Sequence, residues 1–184
     1  MTVTLDKDVE AFVAAPRQLF INGQWTDAAS GKTFATPNPA TGDTLATIAE
    51  GDAEDINRAV RAARAAFEGP WGKMSPSERG RILWRIGDLI LEHTDELAQL
   101  ESLDNGKPFA VAQAADVPLA ADLFHYIAGW ATKINGQTID ISVPYMPGAN
   151  FHSYTLREPI GVVEDDVGAL AAQFEGQLLQ IAGP

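Results

Sequence analysis

The chain has 184 residues, 46% of them hydrophobic and 21% charged, which is enough to bury a core of ordinary size. Its 13 Lys and Arg stand against 25 Asp and Glu, and the resulting charge of −12 repels phosphate backbones and anionic lipid surfaces, so neither nucleic acid nor a membrane is an expected partner. Cysteine is absent, which excludes disulfides, thiolate metal sites and thiol nucleophiles by composition.

The first twenty residues mix acids into every apolar run and have no basic segment leading into a hydrophobic one, so no signal peptide is expected. No stretch approaches the length of an apolar membrane span. A reducing, cytoplasmic setting follows. Residues 1–18 carry only a weak helical pattern and are expected to form a flexible N-terminal arm.

Beyond the arm, residues 19–21 and 24–26 flank Asn22-Gly23, a pair suited to a type I′ turn because both positions need positive φ. Residues 33–36 and 44–49 read as two further short strands around the turn at 39–43, with Leu45 and Ile48 as candidate buried positions. Together these make a small β entry. Asp52 is a candidate N-cap for a helix whose face is Ile56, Val60, Ala63 and Phe67.

A loop at 68–72 ends that helix. Ser75-Pro76-Ser77-Glu78 then supplies the cap, the first-turn proline and the acid of a capping box. Ile82, Leu83, Ile86, Leu89 and Ile90 form the next buried stripe, and Leu97, Leu100 and Leu103 continue a helical pattern after a restart at Thr94. Gly106 is placed to end that helix in a left-handed conformation, with Pro108 opening the following segment. Val117, Ala121, Phe124, Ala128 and Ala131 keep one helical face to about Lys133, closed by Asn135-Gly136.

Residues 138–143 and 153–158 read as the strands of a long hairpin joined by the Pro- and Gly-containing loop 144–150, and 160–163 as a short strand start. From Glu158 onward the chain has five acids and no Lys or Arg. Within residues 164–184, Val167, Leu170, Ala171, Phe174, Leu178 and Ile181 recur at helical spacing, so an acidic amphipathic tail helix capped by Asp166 is expected.

Motifs for small-molecule chemistry fail on inspection. Gly31-Lys32-Thr33 ends like a phosphate-binding loop, but Thr26 stands where that motif needs glycine, and Met74 stands where Gly72-Lys73 would need a hydroxyl. There is no GxGxxG turn and no GxSxG elbow. His93, His125 and His152 are read as structural or surface residues rather than a metal pair, and the acids 164–166 as capping and solubilising charge.

The run Leu103-Asp104-Asn105-Gly106-Lys107-Pro108, followed by the segment YIAGWATKINGQTI that starts at Tyr126, resembles the N-terminal part of an NAD(P)-dependent aldehyde dehydrogenase. The likeness covers about residues 19–163. It implies an α/β fold, here incomplete: a short β entry, a helical layer, a hairpin at 138–158 similar to the family's oligomerisation arm, and then the unrelated acidic tail at 164–184.

Family chemistry, as the resemblance implies it, uses a cysteine thiolate as nucleophile, a glutamate as general base and an asparagine in the oxyanion hole, with NAD in its own cleft. The asparagine follows a strand like Glu158-Pro159-Ile160-Gly161-Val162-Val163, and here Glu164-Asp165-Asp166 stands in its place. Catalytic, cofactor-binding and metal residues are therefore all expected to be none, and no cofactor is expected on this chain. Thr36 and Asp104 align with a structural cation site of some relatives, but the remaining ligand is missing.

In relatives the central helices pack on or beside a sheet formed later in the chain. At roughly 1.5–3 kcal/mol per large apolar side chain, half a dozen left uncovered would forfeit on the order of 10 kcal/mol, so something must cover them. The leading expectation is a catalytically silent module acting by association, as a homo-oligomer or with a full-length aldehyde dehydrogenase, through its hairpin edge and tail. The alternative is the N-terminal piece of a split or truncated NAD-dependent aldehyde dehydrogenase, oxidising aldehydes to carboxylic acids only with its remainder.

Overall fold

The fold follows from a computed structural model that describes residues 5–163. The expected tail helix and its cap Asp166 lie outside the described residues. Where a flexible arm was expected, helix α1 (Lys7–Ala14) forms, with the Asp6 carboxylate accepting from the amide of Asp8. Val9 of α1 is completely buried, and the Asp6 amide donates to Gln99 Oε1 at 2.8 Å. Its helical pattern is weak because Val9 is the one side chain of the helix that is fully buried.

The β entry consists of two antiparallel pairs. Strands β1 (Leu19–Ile21) and β2 (Gln24–Thr26) close on Asn22 and Gly23 with φ of 55° and 75°, the conformation a type I′ turn demands. Strands β3 (Thr33–Pro37) and β4 (Thr44–Ala49) pair with a register shift at Thr36/Pro37, where proline has no N–H to give the ladder. Arg17 extends this pair on the far side of β4, donating to Thr47 O and accepting from the Ala49 amide at 2.8 Å each.

Helix α2 (Ala53–Glu68) opens on a capping box between Asp52 and Asp55. Helix α3 (Pro70–Lys73) is one turn, and α4 (Pro76–Glu92) opens on the Ser75/Glu78 capping box. Helix α5 (Thr94–Asn105) ends at Gly106 with φ of 77°.

After Pro108 the chain is helical sooner than apolar spacing predicts. A short α6 (Phe109–Val111) passes through a π-helical turn (Ala112–Asp116) into α7 (Val117–Trp130). Pro118 explains the wide turn: it cannot donate to the carbonyl four residues back, and its ring would crowd that carbonyl. The Val117 amide instead reaches Ala112 O, five residues back.

The core lies where α4, α5, the π turn and α7 meet, built from Ile90, Leu97, Ala98, Ala112, Val117 and Ala121, with Ile86, Phe109 and Phe124 packed around it. The expected α2 stripe behaves differently, since Ile56 and Val60 are exposed at 45% and 36%. Periodicity identified the face, but nothing among the described residues covers it.

The expected long hairpin is also shorter. Only Thr138–Ile139 (β5) and Ser153–Tyr154 (β6) pair, Thr138 opposite Tyr154 and Ile139 opposite Ser153. Contacts continue toward Asn135 instead of toward Val143, with Thr155 N donating to Gln137 O at 2.9 Å and Arg157 Nε to Asn135 O at 3.1 Å. Two consecutive turns, Val143 to Met146 and Met146 to Ala149, divert the intervening residues. Pro144 and Pro147 take their second positions and Gly148, at φ 82°, the third position of the latter. No strand forms over residues 160–163. Among the described residues the architecture is thus mixed, a helical layer with three small antiparallel pairs.

Candidate functional site

Helices α4 and α7 run antiparallel in close contact because small residues meet at the crossing. A Cβ added to Gly80 would lie 3.0 Å from Ala128 O, and one added to Gly87 would lie 3.0 Å from Ala121 O. Each glycine costs helix propensity of about 1 kcal/mol relative to alanine, and here that cost is offset by backbone approach. Both pairs are seven residues apart on their helices, so one seam holds them.

With one side of α7 buried against α4, the other is open. Leu119, Leu123, Tyr126, Ile127 and Trp130 share a face at spacings of four, three, one and three residues, and each is between 45% and 65% exposed. On α4, Trp84 stacks on the His125 ring of α7 with centroids 4.4 Å apart. Leu91, Ala114, Ala115, Pro118, Leu119 and His125 then continue the surface into a groove of about 560 Å³. This face is uncovered among the described residues.

The three histidines take structural places. His125 Nε2 is 3.0 Å from Asp88 Oδ1 across the α4–α7 seam. His93 Nδ1 is 3.0 Å from Glu96 Oε2, a carboxylate at i+3 that the sequence reading overlooked. His152 lies against Tyr154. Among the described residues no group of three or more acids and histidines is disposed to hold a metal ion. Thr36 sits in β3, and Asp104 in the last turn of α5.

The Leu103–Pro108 signature works as a clasp. Gly106 turns the chain against Pro39, its missing Cβ leaving a space only 3.0 Å from Pro39 Cγ. Ser102 Oγ donates to Lys107 O at 2.7 Å, the Lys107 amide donates to Asn105 Oδ1 at 2.7 Å, and Lys107 Nζ reaches Asp116 Oδ2 at 2.5 Å. That hydrogen bond with Asp116 raises the Lys107 pKa. Asp55 is a second clasp that sequence reasoning missed, 2% exposed and accepting from the amides of Ala29 and Asp52 and from Arg58.

Neither of these two grooves presents a permanent cation to a pyrophosphate. The apolar one offers a single carboxylate, Asp122. The other, about 360 Å³, is lined by Asp6, Asp8, Glu92, Asp95 and Glu96, which repel phosphate. No cofactor step is assigned to these residues. No helix among the described residues is long and apolar enough to cross a membrane.

Comparison with known proteins places this arrangement. The model of the aldehyde dehydrogenase family matches residues 25–165. The chain is 56% identical over 146 residues to aldehyde dehydrogenase family 2 member B4, mitochondrial, of Arabidopsis thaliana, covering 79% of this chain and 26% of that protein. It is 48% identical over 147 residues to the mitochondrial aldehyde dehydrogenase of Homo sapiens, covering 79% and 27%. The NAD+ complex of aldehyde dehydrogenase from Bacillus cereus superposes with a TM-score of 0.75 at 51% identity, covering 77% of this chain and 29% of that one. The chain thus spans under a third of the length of these relatives.

Proposed function

The chain belongs to the aldehyde dehydrogenase family, and we propose that it provides the N-terminal β entry and helical layer of an NAD-dependent aldehyde dehydrogenase. The thiolate, general base and nicotinamide pocket come from a complementary polypeptide segment. The observation that carries this reading is the uncovered α7 face, Leu119, Leu123, Tyr126, Ile127 and Trp130. It lies on a helix whose opposite side packs on α4 at Ala121 and Ala128, so its natural cover is the remainder of the family fold.

The absence of cysteine supports the same division of labour, because covalent aldehyde oxidation needs a nucleophile this chain does not contain. What the chain's own residues contribute is a rigid platform: the Gly–Ala seam of α4 and α7, the Lys107–Asp116 clasp and the Asp55 anchor. The setting is reducing, the cytoplasm in our reading.

The test is complementation. The chain is coexpressed with the segment of the Bacillus cereus enzyme that lies outside the match. Co-purification with aldehyde-dependent NADH formation, seen with neither piece alone, is the expected result. A soluble, co-purified but inactive pair overturns it.

A second reading, a silent module that binds an intact aldehyde dehydrogenase or another copy of itself, is favoured by the hairpin. There Tyr145 and Leu156 stand 80% and 72% exposed beside a two-residue ladder with free edges. A stoichiometric complex with the intact enzyme, formed without the complementary segment, would favour it.

A further inference from the structure

The tetrapeptide Ile-Asn-Gly-Gln occurs twice, at residues 21–24 and 134–137, and the fold treats its two copies differently. A third Asn-Gly pair is Asn105-Gly106. Asparagine is a thermolabile residue, and before glycine its side-chain carbonyl is open to attack by the next backbone nitrogen, because glycine has no Cβ to shield that nitrogen or restrict its rotation. All three asparagines are exposed, so access of water does not separate them. Their restraints do.

Asn105 is held at every group the reaction uses. Its Nδ2 donates to Glu101 Oε1, its Oδ1 accepts from the Lys107 amide at 2.7 Å, and the Gly106 amide donates to Ser102 O at 3.1 Å. Asn22 is held by its backbone. Its φ of 55° belongs to the type I′ turn that closes β1 on β2, and bringing its side chain onto the Gly23 nitrogen needs a rotation about ψ that opens the pairing of Ile21 with Gln24. Asn135 has neither restraint. It lies between α7 and β5, outside helix and strand, and among the described residues neither its side chain nor the Gly136 amide has a hydrogen-bond partner. The tether it has is on its carbonyl, which accepts from Arg157 Nε at 3.1 Å at the end of a long side chain.

We propose that Asn135 is a site of spontaneous conversion to aspartate and isoaspartate in the folded chain, and that this modification unpins the β5–β6 hairpin. The Gly136 nitrogen, having lost its proton to base, bonds to Asn135 Cγ while the Cγ–Nδ2 bond breaks, and ammonia leaves after taking a proton from solvent. Water then opens the five-membered imide at either carbonyl. One opening gives aspartate and the other isoaspartate, whose main chain runs through the former side chain and is one methylene longer. That methylene has no room: a Cβ on Gly136 would already overlap the Thr155 carbonyl oxygen. Beside it, Gln137 N donates to Thr155 Oγ1 and Thr155 N to Gln137 O at 2.9 Å each. The inserted atom displaces Gly136 from Thr155, and these bonds go with it. The modification goes beyond the proposed function, and its test reads the isolated chain, so the outcome of complementation does not bear on it.

The full chain is incubated in mildly alkaline buffer, with and without urea, and the mass gain of amide-to-acid exchange is followed by tryptic mapping. Asn22, Asn105 and Asn135 fall on separate peptides, 18–32, 86–133 and 134–157. In the folded chain Asn135 should be lost on the order of tenfold faster than Asn22 and Asn105, which react only through local opening. In urea the two Ile-Asn-Gly-Gln copies should react at one rate. Loss at Asn135 no faster than at Asn22 in the folded chain, or a difference that persists in urea, overturns the assignment. The hairpin is read by amide exchange at Thr155, comparing the converted chain with an equally incubated Asn135→Gln chain, whose longer side chain does not form this imide. Faster exchange in the converted chain alone is the expected result, and equal protection in both overturns the unpinning.

Discussion

Gly87 on α4 lies so close to His125 on α7 that a Cβ in its place would sit 2.5 Å from both Cδ2 and Nε2 of the imidazole and 3.0 Å from Ala121 O. On an open helix surface, glycine to alanine gains about 1 kcal/mol. Here the sign reverses: Gly87→Ala should destabilise by roughly 1–3 kcal/mol, read as a lower urea midpoint at unchanged slope. Adding His125→Ala should recover only part of the loss, because the Ala121 carbonyl still blocks the new methyl. A gain in stability from Gly87→Ala would mean that the seam is looser than described.

Acid should loosen the β2–α2 junction. The Asp52 amide, foremost, and the Arg58 guanidinium hold the Asp55 carboxyl below its ordinary pKa, with the Ala29 amide adding to them. A carboxylate depressed in the folded state contributes stability that is complete above its unfolded pKa, near 4, and is lost as pH falls through its folded value. Melting temperatures followed by circular dichroism should therefore fall on acidification below about pH 4. Asp55→Asn should lower the melting temperature at pH 7 and reduce its acid dependence. Glu78, also depressed, chiefly by its hydrogen bonds with Ser75, keeps the remainder of that dependence.

Local chemistry was legible in the sequence wherever it needs no distant partner. Asn22-Gly23, Ser75 with Glu78, and Gly106 specify a turn, a helix start and a helix stop through their own backbone and side-chain atoms. For Asp55 the capping-box spacing to Asp52 was a local signal that was passed over, whereas its burial depends on Ala29, 26 residues away. The hairpin register was not legible, being set by consecutive proline turns that compete with strand pairing. The π turn before Pro118 was missed because a proline was read past within an otherwise helical pattern. The α7 face had a signal in plain view: VPLAADLFHYIAGW is apolar nearly all round, and such a helix belongs inside a larger body. Reading only the Val117–Ala121–Phe124–Ala128 side captured the packed half and passed over Leu119, Leu123 and Trp130.

The centre of the helical layer should be the least tolerant place. Leu97 is 1% exposed and stands among Ile90, Ala98, Ala112 and Val117. Leu97→Ala should cost about 2–5 kcal/mol, measurable by chemical denaturation. That is a large part of the roughly 5–15 kcal/mol that stabilises an ordinary domain. A loss under 1 kcal/mol would place the stabilising core elsewhere.

Leu123 separates folding from association. It points away from the α4 seam and is 58% exposed, so Leu123→Asp removes no buried contact and should shift the stability of the isolated chain by no more than about 0.5 kcal/mol. The same carboxylate at the centre of a buried interface would stand unpaired in apolar surroundings, a cost of several kcal/mol. Coexpressed with the complementary segment, Leu123→Asp should therefore lose co-purification and NADH formation while its own melting curve is preserved. Full complementation by Leu123→Asp would remove the α7 face from the assembly and leave the β5–β6 edge as the surface to test next.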